Sequence, residues 1–326
     1  MEKKSFWHKL KKPILTLAPM ADVTDVAFRR ITAKYGKPDV MLTEFVACDG
    51  LMSVGQKNLL IDLKYSVKER PIVAQLFGSK PENFYESAKL IRKLKFDGID
   101  INMGCPQKHV IRQCSGAALL KDLKLAREII EATKRGAGDL PVSVKIRIGY
   151  SKNEVKKIVT ELLKAKPAVI IIHGRTKKDM SKVPADWEAI AAGAKIIKKD
   201  KSSDRTLVIG NGDVRDLADA KAKAKGYGLD GVMVGRAVFG RPWFFDPSID
   251  EDKITLKKKL RIMLEHTKLF ERLLGGHKRF DLMKKHFKSY VSGFDGAKEL
   301  RMKLMEAKNS EEVEKIIQPY LKTGKK

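Results

Sequence analysis

The stretch IVAQLFGSKPENFYESAKLIRKLKFDGIDIN, residues 72–102, holds one complete strand–helix–strand unit. IVAQL (72–76) and GIDIN (98–102) are short runs with the β-branched residues that strands favour. Between them, PENFYESAKLIRKL (81–94) carries its apolar residues at helical rather than alternating spacing. A helix that returns the chain from one strand to the next makes the two strands parallel, and a parallel sheet is covered by helices.

The same rhythm runs from residue 14 to 240. Strands are predicted at ILTLAP (14–19), VMLTEF (40–45), IVAQL, GIDIN, VSVKIR (142–147), AVIIIH (168–173), TLVIG (206–210) and GVMVG (231–235), with helical stretches such as LKLAREIIEATKR (123–135) between most of them. The link after the second strand is the least regular. Eight strands in about 230 residues is the size of a closed (β/α)8 TIM barrel. A doubly wound open sheet would carry a GxGxxG turn after its first strand; here that strand ends in APMADVTD (18–25). Beyond residue 250 the strand signal stops, and 253–274, 278–293, 297–307 and 310–321 read as helices, the last starting at Ser310. The expected organisation is a catalytic barrel over 1–250 and a small C-terminal all-helical domain over 251–326.

The chain carries 67 Lys+Arg against 40 Asp+Glu, a net charge of +27. Residues 251–326 hold 20 Lys+Arg and 11 Asp+Glu, so the tail is more densely basic than the barrel. An excess this large suits a polyanionic partner such as nucleic acid; a generally lysine-rich surface fits composition alone equally well. No apolar run is long enough to span a membrane, and no secretory h-region follows the basic N-terminus. The three cysteines, Cys48, Cys105 and Cys114, form no CxxC pair. That pattern suggests reduced thiols in a cytoplasmic protein with no metal site. Cys48 and Cys114 read as packing residues, and KTGKK (322–326) as a solvated end.

Chemistry in a parallel barrel collects at the C-terminal strand ends. IGNGDV (209–214) and MVGRAVFGRP (233–242) place glycines, with Arg236, after strands seven and eight, the usual phosphate site of a barrel. Gln75, Lys145 and His173 come from three other strand ends. An amide supplies a donor and an acceptor to a heterocycle edge, and a cation stabilises the negative charge of a reduced flavin. With a phosphate site across the mouth, flavin mononucleotide (FMN) is the expected ligand. Cys105 follows strand four in INMGCPQKHV (101–110), where it could pack, bind metal, attack a substrate or deliver a proton.

These motifs, with LAPMADVTD (17–25), AQLFG (74–78), SGAALLKD (115–122), IIHGRT (171–176) and VGRAVFGRPWFF (234–245), resemble the flavin-dependent tRNA-dihydrouridine synthases in order and spacing. The helical segment KKHFKSYVSGFDGAKELR (284–301) resembles that family's RNA-facing region. The resemblance implies reduction of the C5–C6 double bond of a uridine in tRNA, with NADPH reducing FMN, hydride passing from flavin N5 to C6, and Cys105 giving a proton to C5. It implies flavin contacts at Pro19, Met20, Ala21, Gln75, Lys145, His173, Asn211, Gly212, Asp213, Gly235 and Arg236. It places Asn102, Lys108, Arg147 and Arg175 in or beside the substrate pocket. Asp22 stands where the family often has Gly. The expected partner is tRNA, the expected state a monomer without membrane association. A dihydroorotate-type flavin enzyme on the same barrel and a non-catalytic RNA-binding protein are the rival readings; the basic tail and GCPQKHV speak against the first.

Overall fold

In a computed structural model, residues 5–201 and 204–322 are described. Eight strands, β1 (Ile14–Leu17), β2 (Val40–Ala47), β3 (Ile72–Phe77), β4 (Gly98–Met103), β5 (Val142–Arg147), β6 (Val169–His173), β7 (Leu207–Asn211) and β8 (Gly231–Val234), pair in chain order. The sheet closes through β1 and β8, from Ile14 opposite Gly231 to Leu17 opposite Val234. All eight predicted strands are present, and the chain folds as a TIM barrel.

The helices that follow the first strands are α1 (Val26–Tyr35), α2 (Cys48–Leu51), α3 (Gln56–Leu59), α4 (Pro81–Lys93), α5 (Lys108–Arg112) and α6 (Leu123–Ala137). Then come α7 (Val155–Leu163), α8 (Trp187–Ile197) and α9 (Leu217–Gly226). The irregular second link is the pair of one-turn helices α2 and α3. Residues such as Leu76, Ile101, Ile146 and Ile172 face outward and form one core with Phe84, Ile91, Ile129 and Ile190 of the helices. Inside the barrel, Ile14, Val40, Leu42, Val73, Ile171 and Ile209 form a second core, closed below by the fully buried Trp7. Burying each such side chain contributes about 1.5–3 kcal/mol.

A β-bulge in β2 has a local consequence. Leu42 pairs with Val73 and Phe45 with Gln75, so β2 advances three residues while β3 advances two. Residues three apart on a regular strand face opposite sides. The extra residue lets both Leu42 and Phe45 face inward, one into the core and one toward the barrel mouth.

The tail folds as α10 (Leu256–Leu274), α11 (Lys284–Tyr290), α12 (Ala297–Glu306) and α13 (Ser310–Lys322). The helix predicted over 278–293 is shorter: a 3-10 turn at Phe280–Met283 precedes α11. The helix start near Ser310 is capped one residue earlier, by Asn309, whose side chain accepts from the Glu312 N–H at 2.9 Å. Residues 323–326 of KTGKK lie outside the described residues. The tail is not a free-standing appendage. Val26, Ala27 and Ile31 of α1, and Trp243, share one core with Leu260, Met263, Phe270, Phe287 and Leu300. Lys278 reaches back to Glu44 and Asp62, 2.7 Å from each. Burial works against its charge, but the two carboxylates more than offset this and hold its pKa above the ordinary lysine value.

Where the two parts meet, His266 and His286 meet edge to face, with ring centroids 4.8 Å apart, among Phe28, Phe239 and Tyr290. Among the described residues, neither His266 nitrogen has a hydrogen-bond partner. Burial lowers its pKa to about 3, and burial followed by the neighbouring His266 lowers that of His286. Both stay neutral in the folded protein, while the unfolded chain takes up protons below about pH 6.5. The unfolded state therefore binds more protons in acid, and stability is lost as pH falls below that value. Buried carboxylates with raised pKa, such as Asp25 and Asp100, contribute with the opposite sign, and those with lowered pKa, such as Asp230, with the same sign, so the test compares two proteins. Relative to wild type, His266→Phe should gain about 2 kcal/mol between pH 7 and pH 5, read from denaturant unfolding at both pH values.

Candidate functional site

The strand ends open into a pocket of about 660 Å³ at the barrel mouth. Its lining includes Pro19 and Met20 after β1, Phe45 on β2, Gln75 on β3, Asn102 and Cys105 from β4, and Lys145 and Arg147 on β5. His173 and Arg175 from β6, Asn211, Gly212 and Asp213 from β7, and Gly235 and Arg236 after β8 complete it. Fourteen of the sixteen sequence-assigned positions thus converge. Ala21 and Lys108 are exposed and do not line the pocket. His109 sits with Lys108 on the short exposed helix α5.

The side of the pocket beyond β7 and β8 is built for an anion. Among the described residues, no hydrogen-bond acceptor occupies the backbone N–H groups of Gly212, Asp213, Gly235 or Arg236. Gly212 has φ +136°, and a Cβ there would lie 2.5 Å from that of Ala185, so the turn needs glycine. Beyond Gly235 the chain makes only a three-residue 3-10 turn, so the cradle after β8 rests on free N–H groups and Arg236 rather than on a long helix dipole. Asp213 lies among these donors. It accepts from Arg175, from the Ala185 N–H at 2.8 Å and from Arg236 at 3.0 Å. Burial pushes its pKa up, but these partners more than offset that and leave it below the usual carboxylate range.

The opposite side is a buried polar wall. Lys145 Nζ donates to Asn211 Oδ1 at 3.1 Å, and Asn211 donates to the Met233 carbonyl at 2.9 Å. Burial, then Arg147, lowers the Lys145 pKa to about 8, against the pull of Asp100. His173 Nε2 lies 3.3 Å from Arg175 Nη1. Burial and four surrounding cations push its pKa far down, so it stays neutral, with Nε2 accepting and the proton on Nδ1. Arg147 is also committed: Nε donates to the Gly104 carbonyl at 2.7 Å and Nη1 to those of Thr176 and Met180. It clamps the loop before Cys105 to the loop after β6.

Cys105 is 8% exposed and packs with Phe77 and Val110. Burial raises its pKa, against the Gln107 N–H and the charges of Arg147 and Lys145, so it is a thiol at neutral pH. Gly116 closes the segment behind it: φ is +61°, and a Cβ would lie 2.9 Å from the Cys105 carbonyl oxygen. The residues together fit FMN, with free N–H groups and Arg236 for the phosphate, the Gln75 amide and Lys145 for the polar ring edge, and Met20 and Ala18 as an apolar wall. Sequence reasoning missed Phe45, brought in by the bulge, and Asp100, fully buried beneath Gln75. A carboxylate in the middle of the apolar run GIDIN was the available signal for the latter. Of the other cysteines, Cys48 is buried as expected; Cys114 is exposed, so it does not pack.

Residues 16–324 match the family model described as dihydrouridine synthase (Dus). The chain is 38% identical to a probable tRNA-dihydrouridine synthase of Staphylococcus aureus (strain MRSA252), over 98% of this chain and 96% of that protein. It is also 38% identical to probable tRNA-dihydrouridine synthase 2 of Bacillus subtilis (strain 168), over 97% and 96%. Among solved structures it resembles the 6-hydroxypseudooxynicotine amine oxidase of Pseudomonas geniculata N1, with TM-score 0.57 and 12% identity over 84% of this chain and 56% of that one. The histamine dehydrogenase of Rhizobium sp. 4-9 gives TM-score 0.53 and 14% identity over 78% and 49%. At these identities the last two are similar in fold alone, and this chain spans about half their length.

The thiol chemistry is testable without a substrate. With iodoacetamide at pH 7, exposed Cys114 should react faster than Cys105, whose burial both shields the sulfur and keeps it as the thiol. Cys105 should gain as the pH is raised. Peptide mass spectrometry over a time course reads both rates.

Proposed function

The chain belongs to the dihydrouridine synthase family, and from that premise we propose how its own residues reduce the C5–C6 double bond of a uridine in tRNA. The observation that carries the reading is that a protonated, buried Cys105 shares one pocket with an anion cradle and with the Gln75–Lys145 polar edge. FMN, when bound there and reduced by NADPH, supplies the hydride delivered to C6 of the base. Gly212, Asp213, Gly235 and Arg236 hold its phosphate; Pro19, Met20, Gln75, Lys145, His173 and Asn211 hold its ring system. Cys105 gives its proton to C5, and Lys145 and Arg147 stabilise the thiolate left behind. Asn102 and Arg175 face the base. Arg147 shapes this space by fixing the Gly104 carbonyl. Lys108 and Ala21 act outside the pocket, Lys108 as a contact for the RNA backbone.

The target uridine reaches the barrel mouth only by leaving its stack, at about a few kcal/mol. Phosphate contacts along the basic tail, residues 251–326, offset that cost. The enzyme acts as a monomer in the cytoplasm, where its tRNA substrate is. No described helix is long and apolar enough to cross a membrane.

Cys105→Ala should retain FMN and its reduction by NADPH, while dihydrouridine formation falls at least about 100-fold, the scale of a lost general acid. Mass-spectrometric mapping of dihydrouridine in tRNA checks this, and normal yield from the variant refutes the proton-donor role. The tail is better tested by charge than by removal, because α1 and Trp243 share its core. Exposed Lys288 and Lys298 are suitable sites. The double variant Lys288→Glu/Lys298→Glu should weaken tRNA binding and flatten the log K against log salt slope by about 2, with FMN affinity unchanged.

A further inference from the structure

Asp100 is fully buried, lies outside the residues that line the pocket, and hydrogen-bonds no cation among the described residues. Its partners are neutral: Gln75 Nε2 donates to Oδ2 at 2.7 Å and Ser143 Oγ donates to Oδ1 at 2.5 Å. A buried carboxylate served only by neutral donors is costly, and burial raises its pKa to about 6 against those hydrogen bonds and the charge of Lys145. An apolar residue would fill the same layer at lower cost, so the carboxylate calls for a role.

The hydrogen bonds beyond Asp100 indicate one. An ionised carboxylate only accepts, so Gln75 must turn its NH2 toward it. The Gln75 carbonyl oxygen then faces Asn102 and accepts from Nδ2 at 3.0 Å. Asn102 in turn aims Oδ1 at the backbone N–H groups of Gly104 and Cys105, at 3.0 and 2.9 Å. Donor and acceptor alternate along the whole chain. One end can only accept and the other can only donate, so neither amide can flip without breaking a buried bond.

We propose that Asp100 is a positioning residue that locks the Gln75 amide and, through Asn102, the backbone at Cys105, so that the cofactor edge and the proton donor are held in one register. This rests on reading the pocket as the site of uridine reduction. One hydrogen of Gln75 Nε2 and one lone pair of Oε1 remain for a ligand, and both have fixed polarity. The same network sets where the Cys105 sulfur stands relative to that edge. Ser143 is the second anchor, holding the other oxygen of Asp100.

The test uses the full chain with Asp100→Ala, which removes both acceptors, and Asp100→Asn, which keeps an acceptor for Gln75 and can donate to Ser143 Oγ. FMN affinity is read by flavin fluorescence. The alkylation rate of Cys105 in FMN-free protein is read against that of Cys114 as internal reference. Asp100→Ala should weaken FMN binding at least tenfold and speed Cys105 alkylation at least fivefold with Cys114 unchanged, and Asp100→Asn should return both to within threefold of wild type. With FMN saturating, Asp100→Ala should slow transfer to tRNA uridine while leaving flavin reduction by NADPH unchanged. The proposal is overturned if Asp100→Ala only lowers the melting temperature, with affinity and Cys105 reactivity within twofold. It is equally overturned if Asp100→Asn is as impaired as Asp100→Ala, since charge rather than hydrogen-bond polarity would then be at work. Should Asp100→Ala fail to fold, Ser143→Ala must move both readouts in the same direction by a smaller factor, and no movement counts against the relay. Wild-type protein inactive on tRNA would refute the function, while FMN affinity and thiol reactivity would still decide the relay.

Discussion

Closure of β1 onto β8 is the constraint on which the rest of the structure depends. A closed parallel sheet has no free edge and no wet face, so every strand is buried on both sides. The sequence meets this with Val, Ile and Leu along the strands and leaves few places for polar atoms. Apart from Thr16 on β1, whose buried hydroxyl has no partner among the described residues, most stand at the C-terminal rim or in the layer just below it with hydrogen-bond partners. Gln75, Asp100, Asn102, Ser143 and Lys145 occupy those levels on three adjacent strands. The pocket is thus what remains polar when a barrel of this size closes.

The architecture was legible because it is repetitive. Strand–helix alternation is a local signal, and eight repeats leave little choice of fold. The pocket was legible through strand ends, which is why residues as far apart as Gln75 and Arg236 could be grouped before their contacts were seen. What the sequence did not disclose depends on register. Phe45 enters the pocket only because β2 carries a bulge. The Asp100 relay needs Gln75 opposite Asp100, and Asp100 opposite Ser143, pairings no window of sequence contains. Ala21 and Lys108 fall outside the pocket because a motif fixes neighbours along the chain but not the direction in which each side chain leaves it. The shared core of α1 and the tail is hidden for the same reason: α1 reads as an ordinary barrel helix until its second apolar face is seen to be covered.

Asp22 shows how that covering reaches the pocket. Its φ of +58° lies in the left-handed region that favours glycine, which accounts for the family's frequent Gly there. Here the strain is held by two hydrogen bonds. The Asp22 N–H donates to Glu44 Oε1 at 2.5 Å, and its carbonyl accepts from Lys285 Nζ of α11 at 2.9 Å. Glu44 is itself paired with Lys278, which precedes α11. The turn directly after Pro19 and Met20 is therefore gripped from both backbone atoms, once through a barrel carboxylate bound to the tail and once by the tail itself. Removing one partner of a buried ion pair such as Glu44–Lys278 typically costs about 3–5 kcal/mol, because the remaining charge is stranded. The basic tail and the β1 wall of the pocket are consequently tied together, and the tail's seat on the barrel shares residues with the turn that shapes the pocket.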